Sequence, residues 1–348
     1  MFSKNNTYKY TIQLIAEILS FENSNEYLRK KLKSGNIDWD TFVMVSSRQL
    51  VLTTCYCRLE QRELLNLIPD DLVLYLKDIT TINRNRNLKL IDEIKEISQA
   101  FQTAKIDYVL LKGSALLIGN YYKDCGERMV GDVDILVSPR DISKAYQLIK
   151  DLGYQQSIGF NYENKEFRHL PRQFTGDKFA AIELHSSVLD QKYKNHIDDK
   201  LILKNKTNCN GINIPSSYFL NITNIMGVQI NSKGYRYRQW FLRTMYDSVI
   251  LNLVKEKKLL DDYRNNKYVN DYLAKYWAIF KYLKLDGYSK KMNSKIRYYN
   301  LKLRYYSFNQ MLYKLKYTFY NLYDRFILFL ANMSYRANIF KKLMSVTK

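Results

Sequence analysis

Asp132 and Asp134, one residue apart in "GDVDILVSP", are the first residues in the chain whose types and spacing suit chemistry. Positions i and i+2 of a strand face the same way, so the pair can share a divalent cation, and carboxylate with phosphate oxygens suits Mg²⁺ or Mn²⁺. An Asp-x-Asp on a sheet edge is also an ordinary solvated face. Upstream, "YVLLKGSALL" leads from an apolar run into Lys112, Gly113 and Ser114 and on into a helix. Gly113 lets a phosphate approach the backbone, Ser114 offers a hydroxyl and an amide, and the helix start favours an anion. A strand-to-helix turn asks for glycine on steric grounds as well. Downstream, "AAIELHSSV" sets Glu183 in an apolar strand, where an unpaired charge is costly. It is the third carboxylate that a two-metal clamp needs, and a salt bridge to a basic residue would satisfy it too. His185 shares its face and suits a ligand-orienting, substrate-contacting or purely structural role.

The elements that must position these residues follow from periodicity. From Thr7 to about Thr103 the pattern is helical, with Ile12, Ile15, Ile18 and Leu19 at turn spacing and Leu90, Ile91, Ile94 and Ile97 repeating it. Asp38 is placed to cap one helix, and Pro69 to begin another. At Asp107 the period changes. "DYVLLKG" reads as a buried strand, a helix is expected from about Ser114 to Tyr122, and "GDVDILVSP" alternates Val133, Ile135 and Val137 against Asp132, Asp134 and Leu136 until Pro139 stops it. "RDISKAYQLIKDLGY" is a helix closed near Gly153, and "YQQSIGF", "EFRHLPRQF" and "FAAIELHSSV" are extended. After about Pro215 the helical period returns. The expected divisions are a helical region over 1–104, an α/β core over 105–214, a helical substrate-side region over 215–288 and a basic amphipathic tail over 289–348.

Composition narrows the class. In 348 residues, 46% are hydrophobic, with only 4 Pro and 12 Gly, so the chain can bury a sizeable core and favours helix over a turn-rich β fold. A formal charge of +21 favours anionic partners: nucleotides, nucleic acid or acidic lipid. Cys55, Cys57, Cys125 and Cys209 are scattered, matching neither a zinc motif nor a disulfide framework. GxxxxGK[ST] and GxGxxG are absent, which removes support for P-loop and dinucleotide readings. The start of the chain lacks signal-peptide character and no run of apolar residues is long enough to span a bilayer, so a cytoplasmic protein is expected, with peripheral attachment at the inner membrane face left open.

Gly-Ser, a later Asp-x-Asp and a lone acid on a further strand together resemble the polymerase-β type of nucleotidyltransferase. More closely, "YVLLKGSALLIGNYYKDCGERMVGDVDILV" followed by "FRHLP" and "IELHSSV" resembles the bacterial uncharacterised nucleotidyltransferase family. "IDWDTFVMVSSRQLV", "NRNRNLKLIDEIKEI" and "RYRQWFLRTMYDSVILNL" resemble that family's helical flanks, so the likeness runs from Ile37 to Val254. The resemblance implies an α+β fold, a small mixed-sheet core flanked by N-terminal and C-terminal helical regions. It implies Mg²⁺-dependent (or Mn²⁺-dependent) transfer of a nucleoside monophosphate from an NTP to a hydroxyl-bearing acceptor, with pyrophosphate leaving. Asp132 and Asp134 would be metal ligands and Glu183 would complete the carboxylate set. Gly113 and Ser114 would meet the triphosphate, with Lys112, Arg128 and His185 also on the nucleotide side, and Asp247 matches an acid of a later helix. The sequence departs from the family's habits at Ser114, where Ala or Gly is frequent, and at Ser186, where Trp often follows "ELH".

The acceptor stays open among a sugar, a lipid-linked compound, a protein and a small molecule, with surface polysaccharide biosynthesis one setting. One other class stands beside it, a catalytically idle scaffold or nucleic-acid-binding protein that keeps the fold, and a toxin-like transferase that modifies RNA or protein is a variant of the enzymatic reading. The last 59 residues from Lys290 carry thirteen Lys and Arg against Asp324 alone, a net +12. Their aromatic-rich run suits an anionic membrane surface, RNA stacking, or a helix packed on the body with a basic rim.

Overall fold

The computed structural model describes residues 4–34, 37–159, 162, 167–281 and 290–346. The expected extended segments reach outside them at Phe160 and Glu166, as do the boundary at 288/289 and Lys348. The N-terminal region is helical, as its periodicity requires: α1 (Lys4–Leu19), α2 (Asn25–Leu32), α3 (Trp39–Arg48), α4 (Leu52–Gln61) and α5 (Asp70–Thr103). Asp38 caps α3, its carboxylate accepting from the Thr41 amide at 2.9 Å.

Helix α5 does most to place the later loop. Its buried stripe runs Leu72, Leu76, Thr80, Asn83, Asn87, Leu90, Ile94, Ile97 and Phe101, the period of one helix face. The polar middle of that stripe lies under residues 124–131. Asn83 Nδ2 donates to the carbonyls of Gly126 (2.8 Å) and Arg128 (3.1 Å), and Asn87 Nδ2 to those of Cys125 (2.6 Å) and Arg128 (2.8 Å). Arg84 pairs with Asp124, and Arg86 donates to the Gly131 carbonyl at 2.9 Å. From α4, the hydroxyls of Thr53 and Thr54 reach the Glu127 carbonyl. A loop without regular structure of its own thus has its buried carbonyls satisfied by side chains, as burial demands.

The core follows as β1 (Tyr108–Leu110), α6 (Lys112–Ile118), β2 (Val133–Val137), α7 (Ile142–Asp151), β3 (Gln156–Ile158), β4 (Arg172–Phe174), β5 (Ile182–His185) and α8 (Asp199–Lys204). Among the described residues these strands form a mixed five-stranded sheet in the order β1-β2-β5-β4-β3, with β2 and β5 parallel and the other pairings antiparallel. Strands β1, β2 and β5 are buried along their length, with α6 against β2 and α7 against β5. The helix expected over Ser114–Tyr122 begins and ends earlier. Lys112 adopts the left-handed region (φ 52°) and turns the chain immediately after Leu111, while Asn120 (φ 51°) closes the far end.

A hairpin that periodicity did not foresee, β6 (Lys206–Cys209) with β7 (Ile212–Pro215), ends this region. Asn210 and Gly211 both have positive φ, the requirement of a tight two-residue hairpin turn. Helices α9 (Ser217–Met226), α10 (Gly234–Tyr237), α11 (Leu242–Ile250), α12 (Lys257–Asp262) and α13 (Lys267–Ile279) follow, then α14 (Lys290–Arg304), α15 (Tyr306–Ala331) and α16 (Met333–Val346). Helix α14 returns to pack on α13 and α1. The result is the expected α+β architecture, a small mixed sheet between helical flanks.

Candidate active site

The parallel register of β2 and β5 sets Asp134 opposite Glu183. Adjacent strands in register present such a pair on one face, and His185, two residues beyond Glu183, joins them. Ligand atoms of Asp134, Glu183 and His185 all lie within 4.8 Å of one another. His185 Nε2 is 2.8 Å from Asp134 Oδ1 and 3.6 Å from Glu183 Oε2, while its Nδ1 is buried with no hydrogen-bond partner among the described residues.

Two cations stand on this cluster. Lys112 Nζ pairs with Asp134. Its left-handed backbone carries a strain of about 1 kcal/mol for a residue with a Cβ. Arg172, on β4, bridges two acids, its guanidinium 3.1 Å from Glu183 Oε1 and 3.3 Å from Asp132 Oδ2. Asp132 precedes β2 and is one-third exposed, so it joins the cluster at one remove, through Arg172.

Electrostatics separate the three acids. Burial pushes the Asp134 carboxyl up, but the Lys112 charge and the His185 hydrogen bond outweigh it and leave the group well below the usual carboxylate range. Glu183 shows the same opposition, burial against the His185 hydrogen bond, and comes down to about 2. Asp132 is raised, by burial and by the neighbouring Glu183 and Asp134, with Arg172 opposing. The two register partners are therefore ionised at neutral pH, the form in which a carboxylate can bind a cation.

The residues expected on the phosphate side are placed differently from one another. Arg128 is buried and forms a bidentate pair with Asp247 on α11, Nε at 3.0 Å from Oδ1 and the terminal nitrogen at 2.9 Å from Oδ2, and Tyr122 donates to the same carboxylate at 2.7 Å. The Arg128 guanidinium lies over Gly113: a Cβ there would come 2.7 Å from its central carbon. Close packing of that arginine is what excludes a side chain at 113. Ser114 is fully buried, and its hydroxyl donates to the Leu111 carbonyl at 2.8 Å, which stabilises the turn. Helix α6 has seven residues, with Gly113 and Ser114 both inside its first turn.

Sequence reasoning missed Arg172 and Arg243. Arg172 stands in "LPRQF", a segment recognised as extended, and a basic residue on the strand beside an acid-bearing one was the available signal. Arg243 on α11 donates to the Met129 carbonyl at 3.2 Å and forms no ion pair among the described residues. Burial and the Arg128 charge lower its pKa to about 10, with Asp247, Tyr122 and Asp134 near enough to oppose them.

A small mixed sheet between helical flanks is consistent with the nucleotidyltransferase fold. The chain matches the family described as uncharacterised nucleotidyltransferase over residues 35–220, more than half its length, and belongs to that family. The match includes the sheet, Lys112, Arg128, the three acids, Arg172 and His185, and it ends before Arg243 and Asp247. No curated protein matches the chain.

Proposed function

We propose that this transferase moves a nucleoside monophosphate from an NTP to a hydroxyl-bearing acceptor and that it works with a divalent cation, Mg²⁺ or Mn²⁺. The observation that carries this reading is the register pair Asp134 and Glu183, ionised and buried together with His185, their donor atoms within 4.8 Å of one another. Burying two like charges side by side is costly unless cations meet them. Oxygen donors with one imidazole suit a hard or borderline divalent ion. Asp134, Glu183 and His185 would hold it, with Asp132 able to join once Arg172 lets go. When bound, such an ion supplies charge stabilisation to a phosphoryl group and lowers the pKa of a hydroxyl.

The chain's own residues do the positioning. Lys112 is carried by a strained turn beside Asp134 and can exchange that carboxylate for a phosphate oxygen. Arg128, held by Asp247, gives a fixed positive charge behind Gly113. Arg243 forms no ion pair among the described residues and would be available to a phosphate oxygen. Phosphoryl chemistry needs little beyond this kind of alignment and charge balance, and no cysteine nucleophile is called for. The buried, ionised pair also favours a working site over an idle scaffold, since a scaffold would gain nothing from its desolvation cost.

The test is incubation of the purified protein with each labelled NTP, Mg²⁺ or Mn²⁺, and fractionated cell extract. A labelled acceptor should form, and Asp134→Asn should reduce its formation at least about a hundredfold. Binding of Mn²⁺, followed by electron paramagnetic resonance, should weaken in the same variant. Asp134→Asn and Glu183→Gln proteins that bind Mn²⁺ and turn over nucleotide like the wild type would sink the proposal.

A further inference from the structure

The 26-residue helix α15 has two unlike faces. Its inner face docks on the body: Tyr313, Tyr317 and Tyr320 gather around Tyr237, with ring centroids 5.7, 5.8 and 6.1 Å away, and Asp324 pairs with Arg236 at 2.7 Å and Lys233 at 3.2 Å. Its outer face presents Phe308, Met311, Leu315, Phe319, Leu322 and Phe326 at steps of three and four residues, one continuous apolar stripe. Every one of the six is more than half exposed, from 52% at Met311 to 65% at Phe319. Scattered surface leucines need no explanation, but an aligned stripe of this length does.

The charges decide what covers it. At 3.6 residues per turn, Lys314 and Arg325 fall on one flank of the stripe and Lys316 on the other, each roughly 80–100° from its centre. All three are exposed. Asp324, the sole acid of the helix, is turned to the body and already paired. An isologous pairing of two copies through this stripe would set basic rims against basic rims with no counter-charge between them. RNA would meet the cations, and the phenylalanines of the stripe with the exposed Tyr323 could stack on bases, but Met311, Leu315 and Leu322 between them would stay in water. An apolar stripe between two cationic flanks matches a layer of anionic headgroups over acyl chains, where lysine and arginine stems lie along the apolar surface and their charges meet phosphate. No described helix is long and apolar enough to cross a membrane.

We propose that the outer face of α15 is an interfacial membrane-binding element, which seats the protein on an anionic lipid surface with the helix lying in the headgroup plane. The assignment goes beyond the nucleotidyl transfer proposed above and does not depend on it.

Flotation of the full-length protein with vesicles tests this, using phosphatidylcholine alone and phosphatidylcholine mixed with phosphatidylglycerol. The wild type should float with the mixed vesicles, much less with the neutral ones, and less in high salt. Phe319→Ser combined with Phe326→Ser, both on the exposed face, should cut partitioning at least about tenfold while the circular dichroism spectrum and melting temperature stay those of the wild type. Lys314→Glu with Lys316→Glu should remove the preference for the anionic lipid. A wild type that stays in the aqueous layer, or a serine variant that floats as well as the wild type, overturns the proposal. So does a wild-type dimer that the serine variant converts to monomer without any vesicle binding, or salt-sensitive RNA binding that the serine variant retains in a protein indifferent to vesicles.

Discussion

Gly113 lies directly beneath the guanidinium of Arg128, with room for a hydrogen and none for a methyl group. That arginine is buried and committed on its other side to Asp247, so it cannot swing away without breaking the pair. Gly113→Ala should therefore cost about 1–3 kcal/mol of stability, the usual range for overpacking a filled site. In the double variant with Arg128→Met the clash is gone, and the added alanine should cost almost nothing. Thermal or urea unfolding of the four proteins gives the coupling directly, and strict additivity would refute the stated cause.

Arg172 bridges Asp132 and Glu183, so a metal ion proposed on Glu183 would compete with it for that carboxylate. Arg172→Gln should lower the metal-free stability modestly, by about 1 kcal/mol or less because the arginine is well exposed. Added Mn²⁺ should then raise the melting temperature of the variant more than that of the wild type. Equal responses of the two proteins to Mn²⁺ would mean that Arg172 is only a packing residue.

Arg243 stands beside Arg128 with a backbone carbonyl as its hydrogen-bond acceptor. Arg243→Ala is expected to raise KM for the NTP about tenfold with kcat little changed, the pattern of lost substrate binding. Since it also removes a like charge next to Arg128, the unliganded protein should melt no lower than the wild type. A fall in kcat at unchanged KM would place Arg243 in the chemical step instead.

Glu127 yields a pH-dependent test away from the carboxylate cluster. Tyr246 donates to its Oε1 at 2.5 Å, its Oε2 is buried with no hydrogen-bond partner among the described residues, and burial raises its pKa above the ordinary 4.5. The folded protein therefore holds this proton more tightly than the unfolded chain. Stability from the group is complete below the unfolded pKa and is lost as pH rises through the higher folded value. Glu127→Gln keeps an acceptor for Tyr246 and cannot ionise. It should be more stable than the wild type at neutral pH by about 1 kcal/mol, with the difference gone below about pH 4. Parallel melting curves over that range check it, and a difference independent of pH would exclude ionisation as the cause.

Local chemistry made much of this protein legible in its sequence. The helical front, the Asp38 cap, the buried strand before Lys112 and the acid-bearing strands all follow from side-chain period and from the cost of burying polar groups, which act over a few residues. Asp132, Asp134 and Glu183 stood out because acids are rare in apolar runs. Their partition did not follow from spacing. Alternation through "GDVDILV" makes Asp132 and Asp134 equivalent, and only the register of β2 against β5 joins Asp134 directly to Glu183 and His185 while Asp132 is tied to them through Arg172. The role of Gly113 was decided in the same way, by an arginine fifteen positions later that α5 and Asp247 hold over it. The tail showed its charge and its apolar content in sequence, but which face of α15 met the body depended on Tyr237 and Arg236. Period and composition belong to the chain, whereas strand register and the pairing of distant charges exist only once the sheet and its helices have closed.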